Sequence, residues 1–254
     1  MNKSKRLRFD WVWGTLFRPR HVFALIAKDN AGTYPANSWL TPLLLLTITG
    51  LLLAMTTGWV RGQITVEPEL SPDFQYLSPE QQSQMMQALQ MRQGPIFRYV
   101  FPAMTSLLSV WIGWLLVGGL LHLVMTLQGG RGDTGLAINL VAWANLPYAL
   151  RDIIQIIYLA ITRKLIASPG LSGFISAETG GWHLFWAKIL TLVDISLFWR
   201  LVLLTLGVKK FAGFSIGKAL ISAVVPILII LLLQAGLGYL GATLGSLSIV
   251  RMFF

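Results

Sequence analysis

Cysteine is absent from the 254 residues, so disulfide scaffolds, thiolate metal sites and cysteine nucleophiles are excluded. Histidine is nearly as scarce. His21, His122 and His183 stand far apart, leaving no cluster from which to build a metal centre, so no metal site is expected. Charge is the third shortage: Asp, Glu, Lys and Arg make up 12% of the chain, against about 25% in soluble domains. With 55% hydrophobic residues, half of the usual solvated surface is missing, which excludes an ordinary soluble enzyme and a disordered protein.

The charge that remains is lopsided, with 20 Lys and Arg against 10 Asp and Glu. A net +10 can mark a nucleic-acid binder, but the placement argues otherwise. Seven of the positives (Lys3, Lys5, Arg6, Arg8, Arg18, Arg20, Lys28) lie in the first 28 residues, and most others border apolar runs. That pattern reads as membrane topology and attraction to anionic headgroups; membrane lipids are expected partners and nucleic acid is not. No apolar run of signal-peptide length follows the basic start before Trp39, so cleavage is not expected.

A bilayer core of about 30 Å needs about 20 apolar residues in a helix. Leu40–Val60 supplies 21 without a charge and Tyr99–Leu127 supplies 29. Three further candidates are Leu136–Thr162, which contains Pro147, Arg151 and Asp152; Trp182–Val208, which contains Lys188, Asp194 and Arg200; and Ala219 to about Leu244, which contains Pro226. The expected fold is therefore all-α: a five-helix membrane bundle over residues 39–254, with spans at about 40–60, 99–127, 136–162, 182–208 and 219–244. With the N-terminus inside, eleven positives outside the spans (the seven above plus Arg131, Lys209, Lys210 and Lys218) lie on the inner side, and six (Arg61, Arg92, Arg98, Arg163, Lys164 and Arg251) on the outer side. This bias favours N-terminus in and C-terminus out.

Residues 1–38 interleave Trp11, Trp13, Leu16, Phe17, Val22, Phe23 and Ile26 with basic residues, which suits a helix lying in the inner interface; Pro19 can open a helical turn there. The outer loop, 61–98, contains Ser78, Pro79 and Gln81: an N-cap, an N1 proline and a capping-box partner that predict a short helix ending near Gly94-Pro95. Met85, Met86 and Leu89 share one face of it.

No sequence pattern points to catalysis or to a cofactor. Gly130-Arg131-Gly132-Asp133 resembles the GxGD motif of intramembrane aspartyl proteases, but Asp133 falls in a loop, and Asp152 and Asp194 follow Arg151 and Val193 rather than a tyrosine. Gly213 to Lys218 is no P-loop, because its glycines are too close and Ala219 follows the lysine. The informative residues are the intramembrane charges Arg151, Asp152, Lys188, Asp194 and Arg200, since each costs several kcal/mol unless paired or solvated. They occur in the third and fourth spans alone, which favours structural ion pairs over a transport pathway. The midpoints of those spans are 149 and 195, so at about 1.5 Å per residue Arg151 lies about 3 Å and Asp194 about 1.5 Å outside the midplane, and an ion pair between them is expected. Lys188 is expected to reach Asp152, and Arg200 to snorkel inward. Asn139 and Asn145 add interhelical hydrogen-bonding capacity, and Gly241 and Gly245 form a G-x-x-x-G pair suited to helix packing.

Several of these segments together resemble a known family. Phe17-Arg18-Pro19 with Phe23, Gly129-Gly130-Arg131-Gly132, the helix through Ala142-Trp143-Ala144-Asn145-Leu146-Pro147-Tyr148, the span through Asp194, Trp199 and Gly207, and Gly213-Phe214-Ser215-Ile216-Gly217-Lys218-Ala219 follow the order of the Yip1 domain family pattern. The resemblance implies a five-helix integral membrane protein with an inner N-terminus. Eukaryotic members act in ER and Golgi traffic with prenylated Rab GTPases, bacterial members include proteins associated with ABC exporters, and none is established as an enzyme. The short stretch before the first span is similar to the bacterial type. The expectation is a nonenzymatic scaffold or adaptor of a bacterial cytoplasmic membrane that contacts lipids, a partner membrane complex or another copy of itself; the alternative is a small transporter or channel using the charges of the third and fourth spans.

Overall fold

The computed structural model describes residues 7–30, 38–64, 72–130, 133–174 and 182–251, and within them every regular element is helical. Two short helices, α1 (Asp10–Phe17) and α2 (Pro19–Asn30), precede α3 (Leu40–Gln63). A 3-10 turn at Pro72–Tyr76 and helix α4 (Pro79–Gln93) follow, and a π-turn at Ile96–Val100 runs into α5 (Phe101–Leu127). The rest of the chain comprises α6 (Thr134–Ala144), α7 (Leu146–Thr162), α8 (Trp182–Leu192), α9 (Ile195–Ala212) and α10 (Ile216–Arg251).

Three stretches are long and apolar enough to cross a membrane: Leu40–Gln63, Ile96–Leu127 and Ile216–Gly241. At most 39% of the most apolar window of any of them is buried against the rest of the chain. Leu107, Leu108, Ile112, Leu232 and Leu233 are among the apolar side chains left facing outward, where only lipid accepts them without cost. The chain is an integral membrane protein.

The expectation of five membrane-spanning helices needs correction, because the described residues hold three such helices, or four if one bent pair is a single crossing. Trp182–Val208 is divided at Val193-Asp194 into α8 and α9, bent by 62°, and counts as a fourth crossing if the bent pair is one span. Leu136–Thr162 is divided at Asn145 into helices of 11 and 17 residues and is not among the candidate crossings. The break at Asn145 has a direct cause. Pro147 stands in the first turn of α7, where its missing N–H and fixed φ are harmless, whereas within a continuous helix its ring would strike the carbonyl four residues earlier.

The core lies where α6 crosses the bundle. Trp143, Leu140, Val141, Leu203, Leu204 and Leu43 are fully buried, and Trp143 Nε1 donates to Ser38 Oγ at 3.1 Å while that hydroxyl donates to Asn139 Oδ1 at 3.2 Å. The N-terminal helices belong to this core. Trp11 packs on Trp143 with ring centroids 5.7 Å apart, and Phe23 on Phe211 at 6.1 Å; Val22, Phe23 and Ile26 are buried. Their other side leaves Trp13, Phe17, Arg18 and Arg20 exposed, so the segment presents one face to the bundle and an aromatic, basic face outward. Between α3 and α5, Ser78 Oγ accepts from Gln81 N at 3.3 Å and Gln81 Oε1 from Ser78 N at 3.1 Å, the expected capping box at the start of α4.

Candidate intramembrane polar site

Both helix breaks face the same cavity. Helix α7 carries Tyr148, Arg151 and Asp152, three and four residues apart, so they share a face. Helix α9 begins at the other break, where Asp194 Oδ1 accepts from Leu197 N at 2.8 Å as an N-cap. Its second oxygen takes Arg151 Nη1 at 3.2 Å, the pair expected from matched depths. Arg151 also donates from Nη2 and Nε to Asp152 Oδ1 at 3.0 and 3.3 Å, and Thr49 Oγ1 of α3 lies 3.5 Å from Asp152 Oδ2. One guanidinium thus holds two carboxylates and ties the two broken helices together.

The carbonyls freed at the end of α8 are answered from the chain after α7. Leu171 N donates to Leu190 O at 2.9 Å and to Val193 O at 3.0 Å. The approach requires glycine at 170: φ is +64°, and a Cβ there would lie 2.6–2.8 Å from the carbonyl oxygens of Leu190, Thr191 and Val193. Non-helical backbone is tolerated at membrane depth only when buried in protein or lining a wet cavity, and this break meets that condition.

Two expectations about the charges are corrected. Asp152 pairs with Arg151 and not with Lys188, because Arg151 is its neighbour on the same turn; among the described residues Lys188 makes no ion pair. Arg200 does not snorkel away. It is 8% exposed, its Nε has no hydrogen-bond partner among the described residues, and its guanidinium lies 5.5 Å from the Tyr148 ring, on which Arg151 also sits at 4.8 Å. Lys188, Arg200, Asn145, Tyr148, Arg151 and Asp152 all line one cavity of about 550 Å³. The cavity walls also hold Ser106 and Ser109 of α5 and Gln234 of α10, polar contributors that sequence reasoning missed because each is an uncharged residue in an apolar run. The polar lining is therefore drawn from more helices than α7, α8 and α9, which carry the charge.

The motif residues divide between this cavity and the end of the bundle where α5 meets α10. Pro147 and Asp194 mark the two breaks. At the other end, Gly129 has φ +86° and Gly130 packs so closely on Phe214 that a Cβ would lie 2.8 Å from the ring, while Lys218 Nζ donates to Gln128 O at 3.3 Å. The glycine-rich turn and the Gly213–Ala219 segment are thus in contact; Arg131 and Gly132 lie outside the described residues. Gly207 faces the Leu140 side chain with no room for a Cβ, Trp199 packs on Phe17 at 6.2 Å, and Gly213, at φ +65°, ends α9. Beside Gly241 a Cβ would meet nothing within 4 Å among the described residues, so it packs on no described helix, and the surroundings of Gly245 lie outside them.

The fold and site define a polytopic helical membrane protein with a charged cavity between discontinuous helices. Residues 13–237 match the family model of the Yip1 domain. The chain belongs to that family. No curated protein and no solved structure matches it.

Proposed function

We propose that the protein is a nonenzymatic scaffold or adaptor that crosses a bacterial cytoplasmic membrane five times, N-terminus inside and C-terminus outside, and contacts lipids and a partner membrane complex such as an ABC exporter, or another copy of itself. The third and fourth crossings in this reading are the broken pairs α6–α7 and α8–α9. The observation that carries it is the Arg151 tie to Asp152 and Asp194, which commits most of the intramembrane charge to locking the two discontinuous helices together, as a fixed platform requires. The docked N-terminal helices, with an exposed aromatic and basic face, suit the inner interface. The open surface along α10 at Gly241 offers a neighbour close approach.

Detergent extraction followed by identification of co-purifying proteins tests the reading, with a stoichiometric membrane transporter subunit as the expected result. Recovery of the chain as a lone monomer counts against it. Because the chain has no cysteine, a single Asp73→Cys variant reports topology; labelling from the outer side is expected, and labelling from the inner side alone overturns the orientation.

A second reading, a small transporter, is favoured by one observation: the polar cavity draws side chains from α5, α7, α8, α9 and α10, as a transport site between broken helices does. Flux in vesicles reconstituted with the pure protein, abolished by Lys188→Ala at unchanged thermal stability, distinguishes it from the scaffold.

A further inference from the structure

The charge around the cavity does not balance among the described residues. Arg151, Lys188 and Arg200 bring three positives and Asp152 and Asp194 two negatives, and both carboxylates are committed to Arg151. Lys188 and Arg200 remain without a carboxylate among the described residues. Arg200 is 8% exposed with an unpartnered Nε, a placement that costs several kcal/mol unless an anion answers it. Asn145 Oδ1, equally buried, also lacks a partner, and a half-turn of its amide presents an N–H₂ donor instead.

Much of the rest of the wall is apolar, with Leu46, Leu53, Val110, Ile227 and Leu231 facing the same space. Its volume of about 550 Å³ is that of a small-molecule site. The exposed members of the lining include Ser109 and Gln234, which stand on α5 and α10. Those helices are two of the apolar membrane crossings, so this side of the cavity is reached from the bilayer.

From this arrangement we infer that the cavity binds the phosphate of an anionic amphiphile, with Arg200 and Lys188 on the phosphate oxygens and the acyl chain leaving between α5 and α10. The chemistry required is an oxyanion in a partly apolar site; a phospholipid supplies it together with the tail, and free phosphate supplies the oxyanion alone. The inference rests on the chain being lipid-embedded and is indifferent to whether the protein is a scaffold or a transporter.

The test is native mass spectrometry of the full-length protein purified in mild detergent, offered phosphatidylglycerol or phosphatidylcholine, beside its Lys188→Gln, Arg200→Gln and Lys209→Gln/Lys210→Gln variants. Phosphatidylglycerol is expected to be retained over phosphatidylcholine, and its retention to fall about tenfold in Lys188→Gln and Arg200→Gln, the loss of one charge-assisted hydrogen bond. It should be unchanged in Lys209→Gln/Lys210→Gln, whose lysines lie at the exposed end of α9. Failure of millimolar inorganic phosphate to compete identifies the lipid as the source; displacement by phosphate alone keeps the oxyanion site and assigns it to the free ion. If Arg200→Gln does not fold, Lys188→Gln decides. Equal retention of the two lipids, or retention lost in the Lys209/Lys210 variant and kept in Lys188→Gln, overturns the proposal. Persistence of the chain in carbonate-washed membranes checks lipid embedding separately.

Discussion

Helices α3, α5 and α10 and the pairs α6–α7 and α8–α9 are all apolar enough to have been read as crossings, yet they behave differently. Proline does not explain the difference by itself: α10 runs 36 residues with Pro226 inside it, whereas α6 gives way to α7 at Asn145, just ahead of Pro147. In α10 the remaining hydrogen bonds keep the helix whole past Pro226. At the Asp194 break partners are present. Asp194 caps α9 and receives Arg151, and Leu171 N–H takes the carbonyls at the end of α8. Continuous helices hold the protein in the bilayer, and the discontinuous ones gather its polar chemistry, because a helix break survives in lipid only where other groups answer the freed backbone.

The strongest way to break that contrast is to remove the tie between the broken pairs. Arg151→Ala and Asp194→Ala should each cost about 3 kcal/mol, the low end for an opened buried ion pair, because the Arg151 side chain keeps 37% exposure toward the cavity. Thermal melts in detergent should show a double variant less damaged than the sum of the two; strict additivity means that the contact carries no energy. Next in size is Gly170→Ala. It forces a side chain into the left-handed region and against three carbonyls, and about 2 kcal/mol is expected from the conformation and the overlap together. Gly213→Ala sharpens the point, since it shares the positive φ but meets nothing within 4 Å; its cost should be about 1 kcal/mol. Equal melting temperatures for the two glycine variants would show that the packing of the 163–174 segment on the α8–α9 break contributes nothing. The smallest effect belongs to the loop helix. Ser78→Ala removes one half of the capping box at an exposed site and should loosen α4 by about 1 kcal/mol, visible as faster amide exchange in residues 79–93 with no change in the global melt.

How much of this was legible beforehand depended on how local the cause was. The capping box of α4 needs four adjacent residues and was readable from Ser78, Pro79 and Gln81. The 3.2 Å contact between Arg151 and Asp194 followed from counting residues along two apolar runs, because depth in a bilayer converts sequence position into height. Asp152 went to Arg151 instead of Lys188, and Arg200 stayed buried, since both outcomes depend on rotamers and on Tyr148 lying between two helices. Ser106, Ser109 and Gln234 offered no signal at all: a single neutral polar residue in an apolar helix looks the same whether it faces lipid or a cavity.

Membrane residence, helical class and the Yip1-type order of motifs were determined by the sequence itself, because a scarcity of charge and runs of about 20 apolar residues leave the backbone no other way to satisfy its hydrogen bonds in a bilayer. That α8 and α9 part at Asp194, which charges meet and that a net positive cavity stands between them were decided only by the tertiary structure. Each of those outcomes is settled by groups far apart in sequence, Thr49 with Asp152, Arg151 with Asp194 and Leu171 with Val193, and a break or a buried charge is tolerated only once its distant partner is in place.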